Sequence, residues 1–451
     1  MKKNMGRRSP ELLCPAGTME ALKTALHFGA DAVYGGMKRF GLRAFAGNFD
    51  EAQLKEAVAL CHAAGKKFYL TMNVFPFDDQ MDDFVETARI AHEIGVDAAI
   101  VSDIGAVVTL RKQVPGLALH VSTQASTVNT AAVKHYQQLG CERVILARET
   151  SIERIGKMIG QLDGVEVRQS LTSDSDCVQS PSEAGGCNQR TPAGIEIETF
   201  VHGAACMAYS GRCLLSAAMV GRSGNQGECA QPCRWQYHVV EEKRPGEYWP
   251  VCEDDNGTYI FSAKDLCLMP VLPQLIEAGV ASLKIEGRMK TEYYVATVTA
   301  AYRRALDLYA EDPAAFADEL PALMAELACA SHRDSDTGFA LEKPQNPGDG
   351  SPAGGAEGFH QEREYIARAV QDSRAGENAR FLLKNRFHAG DELELLTPNG
   401  VMAVKAVPFI REKTGETVDT LGIGGEIIAM QMDCDVRAGD ILRGEVRNHR
   451  R

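Results

Sequence analysis

Up to about residue 310 the chain alternates between short runs of strand-forming residues and longer stretches with helical periodicity. Eight runs read as strands: "ELLCP" (11–15), "DAVYGG" (31–36), "KFYLTMN" (67–73), "AAIVSD" (98–103), "LALHVSTQ" (117–124), "RVILAR" (143–148), "IEIETFVHG" (195–203) and "SLKIEGR" (282–288). Between them lie patterns such as "TMEALKTALHFG" and "TAAVKHYQQLG", the second ending in the glycine expected beyond a helix C-terminus. Such alternation favours parallel pairing, because each helix carries the chain back to the start of the next strand. Eight units predict an α/β fold of the closed (β/α)8, TIM-like kind; a doubly wound open sheet is the alternative.

Two segments break the rhythm. Residues 168–194 are rich in Ser, Gly and Pro and read as a disordered insertion before strand seven. Residues 336–363 read as a linker, which leaves 1–335 for the barrel. Residues 364–446 carry strand runs and turn signals without helical periodicity, predicting a small all-β, barrel-like domain before a basic tail at 447–451.

Side chains alternate between the two faces of a strand, so each barrel strand has an inward set. In "SLKIEGR", Leu283 and Ile285 suit the outer helices, while Ser282, Lys284, Glu286 and Arg288 share the other face. "IEIETFVHG" likewise puts Glu196, Glu198, Phe200 and His202 opposite Ile195, Ile197 and Val201. His120, Ser122 and Gln124 share a face in strand five, and Tyr69, Thr71 and Asn73 in strand three. Barrel interiors are packed mainly with branched apolar residues, so inward charges must be paired or must meet a ligand. One reading is an ion-pair network, Lys284 with Glu286 and Arg288 with Glu198. The preferred one is a polar pocket at the C-terminal strand ends, lined by Lys284, Glu286, Arg288, Arg148 and His202, with Tyr34, Asn73, Asp103, Gln124 and Glu198 as further candidates. Its cations suit a small molecule bearing carboxylates or phosphates. A Schiff-base role for Lys284 is disfavoured by the charged residues beside it on that face.

The thirteen cysteines take their meaning from the compartment. The basic start "MKKNMGRRSPELLCPAG" is followed by no signal-length apolar run, and no stretch approaches the roughly 18 residues of a membrane span. A cytoplasmic protein without membrane contact is expected, and there clustered cysteines are metal ligands or catalytic groups more often than disulfides. Cys206, Cys213, Cys229 and Cys233 follow strand seven directly, on the face where the polar strand ends lie. Cys177 and Cys187 precede that strand and belong to the opposite face. The irregular spacing suits an iron–sulfur cluster on four thiolates; zinc, a site without metal, and a Cys–His dyad using His202 are the alternatives. Arg212, Arg222 and Arg234 would offset thiolate charge or grip an anion. The net charge of −13 argues against broad nucleic-acid binding but leaves room for a local patch that grips one folded RNA.

With these residues in view, the chain resembles the collagenase-like peptidase U32 family. "ETFVHGAACMAYSGRCLLS" (198–216) looks like that family's signature, with Glu198, Phe200, Gly203, Cys206, Gly211, Cys213 and Ser216 at matching positions and Ala205 departing from it. "ELLCPAGTMEALKTALHFGADAVYGG", "RVILARE", "SLKIEGRMKT" and "KNRFHAGDELELLTP" are also similar to the family, so the likeness covers nearly the whole chain. The resemblance implies a [4Fe-4S] cluster on the four cysteines and oxygen-independent hydroxylation of transfer RNA, ribosomal RNA or the ubiquinone ring. The C-terminal β domain points to the branch that makes 5-hydroxyuridine at the tRNA wobble position with prephenate as co-substrate. Prephenate is a small dicarboxylate, which suits Lys284, Arg288 and Arg148. The implied partners are tRNA, prephenate and an electron-transfer partner of unspecified identity. The rivals are a collagenase-like peptidase, a ribosomal RNA hydroxylase, and a non-catalytic RNA-binding protein with a structural metal such as zinc. The sequence offers no HExxH motif and no recognisable Ser–His–Asp arrangement.

Overall fold

The computed structural model describes residues 9–42, 47–163, 194–206, 209–235, 238–239, 249–250, 264–341, 359–422 and 424–447. Strands β1 (Glu11–Pro15), β2 (Ala32–Gly36), β3 (Lys67–Met72), β4 (Ala98–Val101), β5 (Leu119–Val121), β6 (Arg143–Ile145) and β7 (Glu196–Ala204) pair in parallel, each with the next. After a short pairing of β8 (His238–Val239) with β9 (Trp249–Pro250) comes β10 (Asp265–Cys267), then β11 (Ser282–Ile285). β11 pairs in parallel with both β7 and β1, which closes an eight-stranded barrel. The TIM-like expectation is met.

Helices α1 (Met19–His27), α2 (Glu51–Ala63), α3 (Met81–Ile94), α4 (Ile104–Gln113), α5 (Thr130–Gln138) and α6 (Ile152–Asp163) connect β1 to β7. Their starts are written locally. Thr18 and Asn129 accept from backbone N–H groups of α1 and α5, and Asp50 with Gln53 forms a reciprocal capping box on α2. α7 (Leu215–Val220) lies in the cysteine segment, and α8 (Leu272–Ala278) leads into β11. α9 (Glu292–Glu311) and α10 (Pro313–Ala328) complete the outer layer. Several cysteines belong to this core. Burial pushes the thiols of Cys14, Cys61 and Cys141 up to about 12, as suits inert packing groups.

β7 departs from regularity. Its register with β11 shifts between the Lys284–Phe200 and Ile285–His202 pairs, and β10 runs antiparallel along its last residues. β12 (Ser335–Asp336) pairs with β10, so the barrel's sheet continues just past the expected boundary at 335. The predicted insertion at 168–194, with Cys177 and Cys187, lies outside the described residues except for Gly194, as do 342–358 of the predicted linker and 448–451 of the tail.

The C-terminal region is antiparallel and all-β, as expected. Strands β13 (Arg363–Ala369), β14 (Asn378–Leu383), β16 (Glu392–Thr397), β17 (Gly400–Lys405), β18 (Phe409–Arg411), β19 (Thr417–Val418), β21 (Ile427–Gln431) and β22 (Ile441–Glu445) form one sheet, and β15 (Phe387–His388) pairs with β20 (Thr420–Leu421). Phe381, Leu395, Phe409 and Ile428 anchor its core. Tyr365 of β13 stacks on Tyr293 of α9, so this domain docks on the outer helices rather than on the strand ends.

Candidate active site

The barrel's lower interior is ionic. Arg143, at the start of β6, donates to Glu11 at 2.6 Å, to Glu198 at 3.1 Å and to Glu196 at 2.6 Å. Tyr69 and Ser282 donate to Glu11 as well, and Lys284 donates to Glu198 at 3.2 Å. Glu198 has no solvent exposure, and both Arg143 and Lys284 pair with it there, as a buried carboxyl requires. Burial holds His120 well below its ordinary pKa, and the Arg143 and Lys284 charges add to the effect. Burial also lowers Lys284, against the pull of Glu198.

Above this floor lies a cavity of about 340 Å³. Its mouth is where β-strand C-termini deliver their loops, the end at which barrels of this kind build sites. Lys284 sits 4.2 Å from the centre of the Tyr34 ring, whose hydroxyl donates to the Ile285 carbonyl. Arg148 lies 3.9 Å over the Phe200 ring and donates to Glu286 at 3.3 Å. Arg288 donates to Thr71 at 2.8 Å and also to Asn48. Asn73 and Gln124 complete the polar wall, with Leu42, Ile100, Ile145 and Leu215 between them.

Cys206, Cys213, Cys229 and Cys233 all line this same cavity. Their loops are held down by specific contacts. Glu149, after β6, accepts from the Ser210 backbone at 2.9 Å and from its hydroxyl at 3.0 Å, and Ser126 donates to the Ser210 carbonyl. Gly211 has φ +77°, and a Cβ there would sit 1.9 Å from the Gln124 carbonyl oxygen. Only glycine fits this approach. The Gln231 N–H donates to the Cys229 sulfur at 3.3 Å, which fixes the turn between Cys229 and Cys233. Among the described residues, no three His, Cys, Asp or Glu side chains are gathered tightly enough to hold one ion. The four thiols line one cavity without converging on a single point. The described residues lining it include no histidine, so the donor set fits an all-thiolate group.

A family profile described as "Peptidase family U32" matches residues 17–349, and "Peptidase family U32 C-terminal domain" matches 361–443. The chain belongs to peptidase family U32. It is 35% identical over 430 residues to tRNA hydroxylation protein P of Escherichia coli K12, with 87% of each chain covered. Against tRNA hydroxylation protein P1 of Bacillus subtilis 168 the identity is 33% over 436 residues, covering 97% of this chain and 95% of the relative. A protein named collagenase from Porphyromonas gingivalis W83 is 29% identical over 441 residues, covering 96% and 97%.

The U32 cavity gathers most of the residues that the sequence pointed to: Tyr34, Asn73, Gln124, Arg148, Lys284, Glu286, Arg288 and the four cysteines. Three take other places. His202 lies outside the cavity, with its ring 5.5 Å from Tyr302 and 6.1 Å from Tyr294, because the β7 irregularity reverses side-chain parity after Phe200. Burial holds it neutral, with a pKa of about 4. Asp103 caps α4 by accepting from the Ala106 N–H. Glu198 is beneath the cavity as an ion-pair partner, and the pairs are Lys284–Glu198, Arg143–Glu198 and Arg148–Glu286 rather than the Lys284–Glu286 and Arg288–Glu198 pairs of the alternative network reading. Arg143, the hub of the floor, was missed. Its signal was present: it opens an inner barrel strand at the same parity as Ile145.

Proposed function

We propose that this U32 protein is an RNA hydroxylase that places a hydroxyl on C5 of a tRNA wobble uridine, depending on prephenate and on a [4Fe-4S] cluster held by Cys206, Cys213, Cys229 and Cys233. The observation that carries the reading is the convergence of four cysteines and three cations on one cavity. The names of the similar proteins support RNA hydroxylation as the broader activity.

A bound cluster would supply redox or Lewis-acid capacity at the cavity mouth. The chain's own residues supply binding and order. Arg148 and Arg288 offer planar, permanently charged donors for two carboxylates, and Lys284 adds a point charge from the floor. Phe200, Thr71 and Asn48 fix the two guanidinium groups before any ligand arrives, which lowers the ordering cost of binding. Glu286 can accept an N–H of a pyrimidine edge once a dicarboxylate takes over Arg148. Leu42, Ile100 and Ile145 exclude water around these groups.

A peptidase reading has less to work with, since the described residues lining the cavity include no histidine and the Ser210 hydroxyl is bonded to Glu149. The test is nucleoside mass spectrometry of tRNA from a deletion strain complemented with wild type, Cys213→Ala or Arg288→Ala. Wobble 5-hydroxyuridine restored by wild type and not by either variant is expected. An unchanged tRNA profile in the deletion strain, with gelatin cleaved by the pure protein, would move the assignment to a peptidase.

A further inference from the structure

We propose that the outer face of the cysteine segment, continuous with the cavity mouth, is a stacking platform for unpaired bases of an RNA loop. The proposal rests on the hydroxylase reading and names the surface through which such a substrate would reach the cavity.

Tyr209, Leu214, Met219, Val220 and Trp235 are 45%, 71%, 44%, 40% and 45% exposed, all within one short stretch of chain. Two neighbouring loops extend the patch. Met289, after β11, is half exposed and its sulfur lies 3.9 Å from the Gln231 side-chain amide. Phe77, after β3, is 63% exposed, and its loop is tied to the segment where Gln226 donates to the Phe75 carbonyl. Tyr209 joins the surface to the interior, since it also lines the cavity. Large apolar side chains left exposed on neighbouring segments mark a binding surface.

Charge selects the occupant. From Cys206 to Trp235 the sequence holds Arg212, Arg222 and Arg234 against a single acid, Glu228, within a chain of net charge −13. The rest of the protein repels a polyanion; this segment attracts one. Aromatic rings beside arginines bind single-stranded nucleic acid, because every base offers a face to stack and every phosphate a charge to meet. Duplex RNA hides those faces, and sequence-selective proteins read splayed loops instead. A base stacked on Tyr209 would stand at the cavity mouth, which suits an enzyme that must take its target nucleotide out of the stack.

The test uses full-length protein, purified without air, and two fluorescent RNAs: a hairpin with a uridine-containing loop, and the fully paired duplex of its stem. Tyr209→Ala and Trp235→Ala are each expected to weaken hairpin binding about tenfold, with Trp235→Phe retaining most of it and duplex binding unchanged. Iron content and circular dichroism equal to wild type would show that the variants are folded. Unchanged hairpin affinity in both alanine variants, or equal loss for hairpin and duplex, overturns the proposal while leaving the hydroxylase reading intact. Variants that bind hairpin normally yet lose tRNA modification in cells would assign the surface to a protein partner, and also overturn it. Absence of RNA binding by wild type, with an unaltered tRNA profile in the deletion strain, would instead sink the hydroxylase reading itself.

Discussion

At the scale of single residues, the site depends on groups that touch no substrate. Glu149 ties the loop between Cys206 and Cys213 to the end of β6 through two hydrogen bonds to Ser210. Glu149→Gln keeps one acceptor and turns the other into a donor, removing a bond to a charged group at a cost of about 1.5–3 kcal/mol. On the proposed cluster reading the variant is expected to lose iron faster under chelator and, stripped of metal, to let Cys206 and Cys213 be alkylated faster than wild type. Equal rates would show that the loop is held by other contacts. His202 makes a different prediction. Folded, it resists protonation until about pH 4, whereas the unfolded chain takes that proton near 6.5. Stability should therefore be full above pH 6.5 and fall as pH drops toward 4, by about 3 kcal/mol from this group, with buried His120 adding in the same sense. Urea midpoints at pH 7 and pH 5 should differ less for His202→Gln than for wild type. The cysteine set and the cations were legible because their chemistry is rare and their place after strand seven is topological. The role of His202 was not, because parity counted along a strand assumes the strand is regular.

That irregularity belongs to the scale of elements. The end of β7 can bend because Gly203 adopts φ +102°, and a Cβ there would lie 2.4 Å from the Glu286 carbonyl. The bend lets β10 pair along the outer edge of β7 while β11 stays close enough to aim Glu286 and Arg288 into the cavity. Gly203→Ala should cost about 2–4 kcal/mol from backbone strain and clash together. On the proposed reading it should also weaken prephenate binding by displacing the loop that carries Arg288. Gly221 offers the control: it too has positive φ, +68°, but open space around it, so Gly221→Ala should cost only about 1–2 kcal/mol. Thermal melts and calorimetric titration of prephenate would separate the two, and similar behaviour of both variants would refute the close-approach explanation. The alternation of strand and helix was readable since each element announces itself locally. β10 and β12 were not, being a few residues long and defined by pairing to distant chain.

At the scale of the molecule, the question is whether the C-terminal domain is an appendage or part of one cooperative unit. Arg443 of β22 is almost fully buried and donates to both oxygens of Glu326 on α10, at 2.6 and 2.7 Å, and to Glu394 at 2.8 Å. Around it, Tyr365 stacks on Tyr293 and donates to Glu292 at 2.7 Å, Lys384 pairs with Glu292, and His27 of α1 meets Asp440 at 2.8 Å. Phe28, Ala296, Leu396 and Ile441 fill an apolar seam between these contacts. The sequence showed the two units but not this bond, because Arg443 and Glu326 are 117 positions apart and neither stands out in its own element. Interfaces this interlocked couple the unfolding of their halves, so calorimetry of the wild type should show a single transition. Arg443→Ala removes the shared partner of two carboxylates, leaving Glu394 to Arg363 and taking from Glu326 both of its guanidinium bonds, at a cost of about 3 kcal/mol given their partial exposure. The single transition should then split into two. Adding Glu326→Ala should recover part of the loss, since it removes the uncompensated charge without restoring the contact. Two transitions already in wild type, or one in Arg443→Ala, would mean that the domains are coupled through the apolar seam or not at all, and that the ion pair only sets their orientation.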